Sequence, residues 1–436
     1  MRNAAAGALC PLMAAASLWA QEPTGNAAAD SATAARFAWR RASEALRDSN
    51  LASARREVTR AADAWPTQEA YAWARVTLAA RAHDTTAVLA GLAAYADLGL
   101  GRDLVAEPSL TSYLSIPEMA DLTLRHDANR STLGRGTVRA RLPDATFWPE
   151  GVDHDAGTGN YYVASVRHRT IAELHPGRAP RELLPRHQKG IGAILGVRVD
   201  ASRGVIWATT AGIPQMEGYS PADSGIAALL LIRIADGRIE RRWDLPPSAI
   251  GHTLGDLAVG ARGDVYVTDS REPVLYRLPA GGDSLIAIRH PLFRSLQGVA
   301  PTPDGQALYV ADYSHGILRV ELATGAVVRV ADAPRSVSLG CDGIAWDRGA
   351  IVAVQNGVMP ARVMRFVLSA DGLGFTRADV LDRNPAVADE PTIGTIVGDE
   401  FVYVANSQWE KYDAAGVRRA GKALTRPVLL AVPLPR

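Results

Sequence analysis

Six times between residue 147 and the C-terminus the sequence returns to one pattern. A residue beside glycine opens a short strand, a turn follows, and a second strand ends on polar residues. The starts are Glu150 (EGVDHD), Leu195 (LGVRVD), Gly255 (GDLAVG), Gln297 (QGVAPT), Asp342 (DGIAWD) and Ile393 (IGTIVG), at intervals of 45, 60, 42, 45 and 51 residues. The second strands read YYVASV, VIWATT, DVYVTDS, ALYVADY, AIVAVQN and FVYVANS. Turns such as DAGTGN, TPDGQ and DRG separate the two, and short apolar runs bounded by Gly and Asp read as strands rather than helices. Each interval has room for four strands, so the pattern predicts a six-bladed β-propeller over residues 137–436. The long second interval leaves space for an insertion around Pro214 to Gly225.

A propeller must close on itself. TVRARL (Thr137 to Leu142) is a suitable strand just before the first blade, and LLAVPL (Leu429 to Leu434) can supply the neighbouring strand of the last one. Residues 30–128 are different: Ala- and Arg-rich, with helical spacing. Two segments superpose there at an offset of 34 residues, Phe37-Ala38-Trp39 onto Tyr71-Ala72-Trp73 and Val58 onto Leu92. That offset is the tetratricopeptide period, so the region resembles two degenerate helical hairpins of that kind, with Pro66 as a helix stop. Two such hairpins either pack on the next domain or present a small surface to a protein partner. The fold expected is therefore mainly β, a six-bladed propeller with a small N-terminal α-helical repeat-like domain.

Residues 1–20 read as a signal peptide, with Arg2, an Ala/Leu/Met-rich run and Ala20 before a cut at Gln21, which implies a periplasmic or secreted product. Only Cys341 would then remain of two cysteines, so no internal disulfide is available. No later apolar run is suited to spanning a bilayer, so no stable membrane span is expected after cleavage. With Lys plus Arg at 47 against Asp plus Glu at 46, the net charge of +1 excludes a nucleic-acid footprint.

The WPEG start, the GDLAVGARGDVYVTDS blade and the DGIAWD start resemble the superfamily of senescence marker protein, gluconolactonase and luciferin-regenerating enzyme, which is related to paraoxonases and strictosidine synthase. The resemblance runs from about Phe147 to the C-terminus. It implies one divalent cation at the mouth of the central channel, held by a Glu of the first blade, Asn residues of middle blades and an Asp of a later blade. By motif the Glu is Glu150 and the Asp is Asp342. The middle positions fall on Gly255 and Gln297, both departures from Asn. Gln297 keeps an amide oxygen and Gly255 offers none, while Leu195 and Ile393 leave their sectors apolar. The implied metal set is thus Glu150, Gln297 and Asp342, and hard oxygen donors suit Ca²⁺ first, then Mg²⁺ or Mn²⁺.

With a cation in place, the chemistry implied is hydrolysis of a lactone or related ester. Asp256, beside the lost Asn, and His252, three residues before Gly255, are the candidate catalytic residues. Each has a plainer reading, Asp256 as a turn cap and His252 as a surface histidine. Glu150 and Asp342 can likewise be read as groups that satisfy turn N–H donors. Asp269 and Asp312 at second-strand ends read as structural, and Arg362 and Arg365 either as receivers of an anionic substrate group or, more plainly, as solvated strand-edge charges. The alternative to a hydrolase is a non-enzymatic propeller that binds a ligand or protein through a degenerate metal site.

Overall fold

In the computed structural model, which describes residues 27–435, the chain forms a helical layer followed by six four-stranded antiparallel sheets. Residues 1–20, read above as a signal peptide, lie outside the described residues. The inner strands of the six blades are Pro149–Asp155, Ala193–Asp200, Leu254–Val259, Leu296–Pro301, Cys341–Asp347 and Gly394–Val397. Each touches the next, and the sixth touches the first, so they close a ring around a central axis. Facing sheets bury the alternate apolar residues of their strands. One such inter-blade core combines Trp207, Leu229 and Trp243 of blade 2 with Leu257, Val267 and Tyr276 of blade 3.

The ring closes as expected, with strands from both ends of the domain in one sheet. Blade 6 runs outward from Gly394–Val397 through Glu400–Val404 and Val428–Pro433 to Thr137–Arg141, so its outermost strand comes from the N-terminal side. The turns follow their sequence chemistry. In TPDGQ, Asp304 Oδ1 accepts the Gln306 N–H at 2.9 Å and Gly305 takes φ +65°.

The repeated glycine has a packing cause. A Cβ at Gly151 would lie 2.4 Å from the Leu195 carbonyl oxygen, and one at Gly298 would lie 2.6 Å from that of Asp342. Adjacent inner strands therefore approach closely only where this residue has no side chain. In the first five blades the ladder between inner and second strand is interrupted at this point, as between Pro149 and Val152 and between Cys341 and Ile344. Such a bulge frees the start residue from the regular ladder and re-aims its side chain.

Blade 6 departs by one residue. A Cβ at Gly343 would meet the Thr392 carbonyl at 3.0 Å and the Ile393 Cα at 2.6 Å, positions that the start carbonyl and the following Cα occupy elsewhere. Thr392, rather than Ile393, is the sixth start, and its hydroxyl donates to the Glu150 carbonyl at 2.8 Å.

The helical layer comprises α1 (Ala27–Arg47), α2 (Leu51–Ala64), α3 (Glu69–Arg81), α4 (Thr85–Asp97) and, after a 3₁₀ turn at Pro108–Tyr113, α5 (Pro117–Arg130). Asn50 and Asp84 cap α2 and α4 by accepting the N–H groups of Ser53 and Ala87. Val58 and Leu92 are both buried, each in its own cluster of the layer. Phe37 and Tyr71 differ: Phe37 is exposed, whereas Tyr71 packs on Trp39 with ring centroids 4.8 Å apart.

The layer docks on the propeller through Trp65, Tyr71 and Leu100 against Val337, Leu339 and Val358. Thr67 Oγ1 adds a bond to Asp332 Oδ2 at 2.6 Å. Because Val337 and Leu339 immediately precede the fifth inner strand, the helices sit on the side where inner strands begin. No described helix is long and apolar enough to cross a membrane.

This docking corrects the reading of Arg362 as a solvated charge. It is 2% exposed, and its guanidinium donates to Gln355 Oε1 at 2.6 Å and to the Gly99 carbonyl at 2.8 Å. Arg365 is buried too, held 2.8 Å from Asp347 Oδ2. Neither is available to an anionic ligand at the surface.

Candidate functional site

The start residues meet where the inner strands begin, at one end of the channel. Glu150 is 8% exposed, and its Oε2 accepts the indole N–H of Trp409 at 2.7 Å. Asp342 is half-buried, and its Oδ2 accepts from Asn356 Nδ2 at 2.8 Å. Loss of water raises the proton affinity of both carboxyls, and the negative charge of Asp342 adds to the effect on Glu150. Asp342 is pushed up to about 7. These two predicted residues are brought together, each held by a neutral donor.

Gln297 is partly buried, and its Nε2 donates to Ser295 Oγ at 3.3 Å. A Cβ at Gly255 would make only an ordinary contact, the nearest atom being Thr268 Oγ1 at 3.6 Å. Asp256 occupies the position that is glycine in its neighbours, and it is 1% exposed. Its carboxylate pairs with Arg198 of blade 2 at 3.1 Å and accepts the Leu257 N–H at 2.8 Å. Burial still raises its proton affinity, with Arg198 acting in the opposite direction.

His252 is committed to its own loop. Nδ1 lies 2.6 Å from Asp269 Oδ2, Nε2 lies 2.9 Å from the Pro246 carbonyl, and the ring is 5% exposed. The bond to Asp269 holds its imidazolium form to higher pH than usual. Asp269 and Asp312 have the structural role read from their positions. Asp269 Oδ1 accepts the N–H groups of Thr253, Arg271 and Glu272, and Asp312 accepts those of Arg294, Ser295, Ser314 and His315.

Three residues at the mouth were not anticipated from the repeats. Asn356 follows the second strand of blade 5; besides Asp342 it contacts the Pro391 carbonyl and the Tyr313 hydroxyl. Trp409 belongs to the long connection between Val404 and Val428. There Trp148 stacks on Tyr412 at 4.1 Å and meets Trp409 edge-on at 5.0 Å. Glu390 precedes the sixth inner strand, and its carboxyl is pushed up to about 7 by loss of water, then by Glu410 and Asp342. The one signal for the long connection was Trp409 and Tyr412 in an otherwise polar stretch, since buried aromatics in loops need a partner surface.

Among the described residues no three His, Cys, Asp or Glu side chains are grouped to hold a metal ion. Glu150 and Asp342 nevertheless fit a hard cation as a pair, because each carboxylate has a neutral donor and the charge of Asp342 raises the proton affinity of Glu150. A cation there would complete its shell with an amide or backbone oxygen and water.

No family model and no curated protein matches the chain. Among solved structures it is similar to a virginiamycin B lyase from Staphylococcus aureus, with a TM-score of 0.45 and 13% identity over 69% of this chain and 100% of that one. It is also similar to a calcium-binding protein, regucalcin, from Agrobacterium tumefaciens, with a TM-score of 0.46 and 18% identity over 68% and 96% of the two chains. A streptogramin B lyase gives a TM-score of 0.44 and 15% identity over 67% and 96%. The six-bladed architecture itself rests on the strand pairing described above.

Proposed function

We propose that the chain is an exported, divalent-cation-dependent hydrolase of lactones or related esters, on the gluconolactonase-like pattern that its repeat starts resemble. The observation that supports this most is the pairing of Glu150 and Asp342 at the channel mouth with neutral donors alone. Glu150 and Asp342 would hold the cation, Ca²⁺ in the first instance, and Gln297 would contribute Oε1. When bound, the cation polarises the substrate carbonyl and makes a bound water more acidic.

The chain's own residues supply orientation and shielding. Trp409 and Asn356 fix the rotamers of the two carboxylates, and the Trp148–Trp409–Tyr412 cluster keeps water from the blade 1 side of the mouth. Asp256 and His252 serve as support, because an ion pair and a two-sided hydrogen bond already occupy them. The test is divalent-metal analysis of purified protein, with a panel of lactones and esters assayed on wild type and Glu150→Gln. A metal-free wild type indistinguishable from the variant removes this reading.

A second reading has its own observation. Gly255 supplies no donor, and the adjacent sector is filled by the Arg198–Asp256 pair, which suits a non-enzymatic propeller that binds a ligand at the mouth. In that case the tetratricopeptide-like helices would receive a protein partner in the groove of about 350 Å³ lined by Trp39, Leu46, Val58 and Leu78. Binding of a lactone without turnover would favour it.

A further inference from the structure

Glu390 is built into the mouth more firmly than a connecting residue needs to be. Its φ of +64° lies in the left-handed region that favours glycine, so the surrounding contacts must hold it there. Those contacts are specific. Its carbonyl accepts both the N–H of Ser407 at 3.1 Å and the hydroxyl of Ser407 at 2.8 Å. Its Oε2 accepts the N–H of Glu410 at 2.9 Å.

Two straps bring this side chain to the paired carboxylates. Trp409 and Glu410 are consecutive, and the first binds Glu150 while the second binds Glu390, so one turn of chain spans the two acids. On the other side, Asn356 Nδ2 donates to Asp342 Oδ2 and to the carbonyl of Pro391, the residue after Glu390, both at 2.8 Å. Glu390 is thus tied through shared neighbours to both Glu150 and Asp342, and each of those carboxylates acts electrostatically with it. If the only task were to cap the turn at Glu410, a neutral amide oxygen would accept the same bond without adding a third like charge.

From this geometry we infer that Glu390 is the general base of the hydrolysis proposed above, a role that rests on that reading. The attacking water oxygen forms the new bond to the ester carbonyl carbon as its proton passes to the Glu390 carboxylate. The bond from that carbon to the ring oxygen then breaks, and the proton returns to the departing alkoxide. The acid and alcohol products balance water plus lactone with no change of oxidation state. General-base assistance of this kind contributes roughly 10²–10⁴-fold in rate.

The experiment compares full-length wild type, Glu390→Gln and Glu150→Gln with Ca²⁺, using the best substrate from the lactone panel. For Glu390→Gln the expectation is unchanged cation stoichiometry, KM within a few-fold, kcat reduced about 10²-fold or more, and loss of the acid limb of the kcat–pH profile. Retention of kcat within about threefold overturns the role of Glu390 and leaves the hydrolase reading standing. Loss of the cation from this variant also overturns it, by making Glu390 a ligand. A wild type that turns over nothing on the panel removes the hydrolase reading and Glu390's role with it. Should Glu390→Gln lose its cooperative melt, Glu390→Asp decides: a reduced kcat with the acid limb retained supports the assignment, and wild-type kcat overturns it.

Discussion

Trp409 donates its indole N–H to Glu150 Oε2 across 2.7 Å, joining residues 259 positions apart at the mouth of the channel. A buried acceptor that loses its donor costs about 1–3 kcal/mol. Trp409→Phe is therefore expected to lower unfolding free energy by about that amount in urea titrations. Trp148 is the internal control, because its buried indole N–H has no hydrogen-bond partner. Trp148→Phe should lose only packing, and a Trp409→Phe loss below about 0.5 kcal/mol would show that the bond contributes nothing.

The mouth carboxyls also set a pH dependence. Asp342 and Glu390 are each pushed up to about 7, and Glu150 is raised in the same direction. Groups that bind protons more tightly when folded stabilise below their ordinary pKa, and that contribution is lost as pH rises through the folded value. Calcium-free protein should thus lose this contribution between about pH 4 and pH 7. His126 and His315, held neutral by burial, act with the opposite sign near the upper end of that range. The informative quantity is then the difference from Asp342→Asn. In calorimetric scans with chelator, the variant should melt a few degrees above wild type at pH 8 and lose that advantage at pH 5, roughly as 1–2 kcal/mol translates into Tm. Excess Ca²⁺ should raise wild type and leave the variant unmoved.

The phase of the repeats marked Glu150, Asp342 and Gln297 as blade starts, because in four of the six blades the residue after the start is a glycine that must touch the next inner strand. The same rule misplaced the sixth start by one, since Thr392 is followed by Ile393 and glycine comes a residue later. Trp409, Asn356 and Glu390 were not legible. They sit in connections without periodicity, and only the closed ring brings those connections to the mouth. Arg362 failed for a related reason: a strand-end arginine reads as solvated until the loop at Gly99 covers it. Local pattern fixes blades, whereas what lies over them depends on long-range packing.

Closure gives an asymmetric prediction within one sheet. Leu430 and Val138 are paired neighbours in blade 6, yet Leu430 is 1% exposed and Val138 is 46% exposed. Leu430→Ala should cost about 2–5 kcal/mol, the range for emptying a core leucine site. Val138→Ala should stay within about 0.5 kcal/mol, as exposed substitutions do. Paired chemical-denaturation curves measure both, and comparable losses would mean that the outer strand is held by side-chain burial after all.

The gap at Gly255 can be refilled. Its neighbour rule differs from that of Gly151, where a Cβ would fall 2.4 Å from the Leu195 carbonyl oxygen, because at Gly255 the nearest atom is Thr268 Oγ1 at an ordinary 3.6 Å. Its φ is not in the positive range, so a side chain carries no backbone strain there. Gly255→Asn would place an amide at the start of blade 3, in the sector that lacks a donor on the Glu150–Asp342 side. An added oxygen ligand replaces a bound water and the entropy of holding it, so calcium affinity should rise by about tenfold, equivalent to 1.4 kcal/mol. Gly151→Ala should do the reverse, forcing blades 1 and 2 apart beside Glu150 at about 1–3 kcal/mol of overpacking. Isothermal titration of Ca²⁺ into both variants decides the matter: tighter binding in the first and weaker in the second are expected together, and an unchanged affinity in Gly255→Asn would mean that the cation, if held, lies away from blade 3.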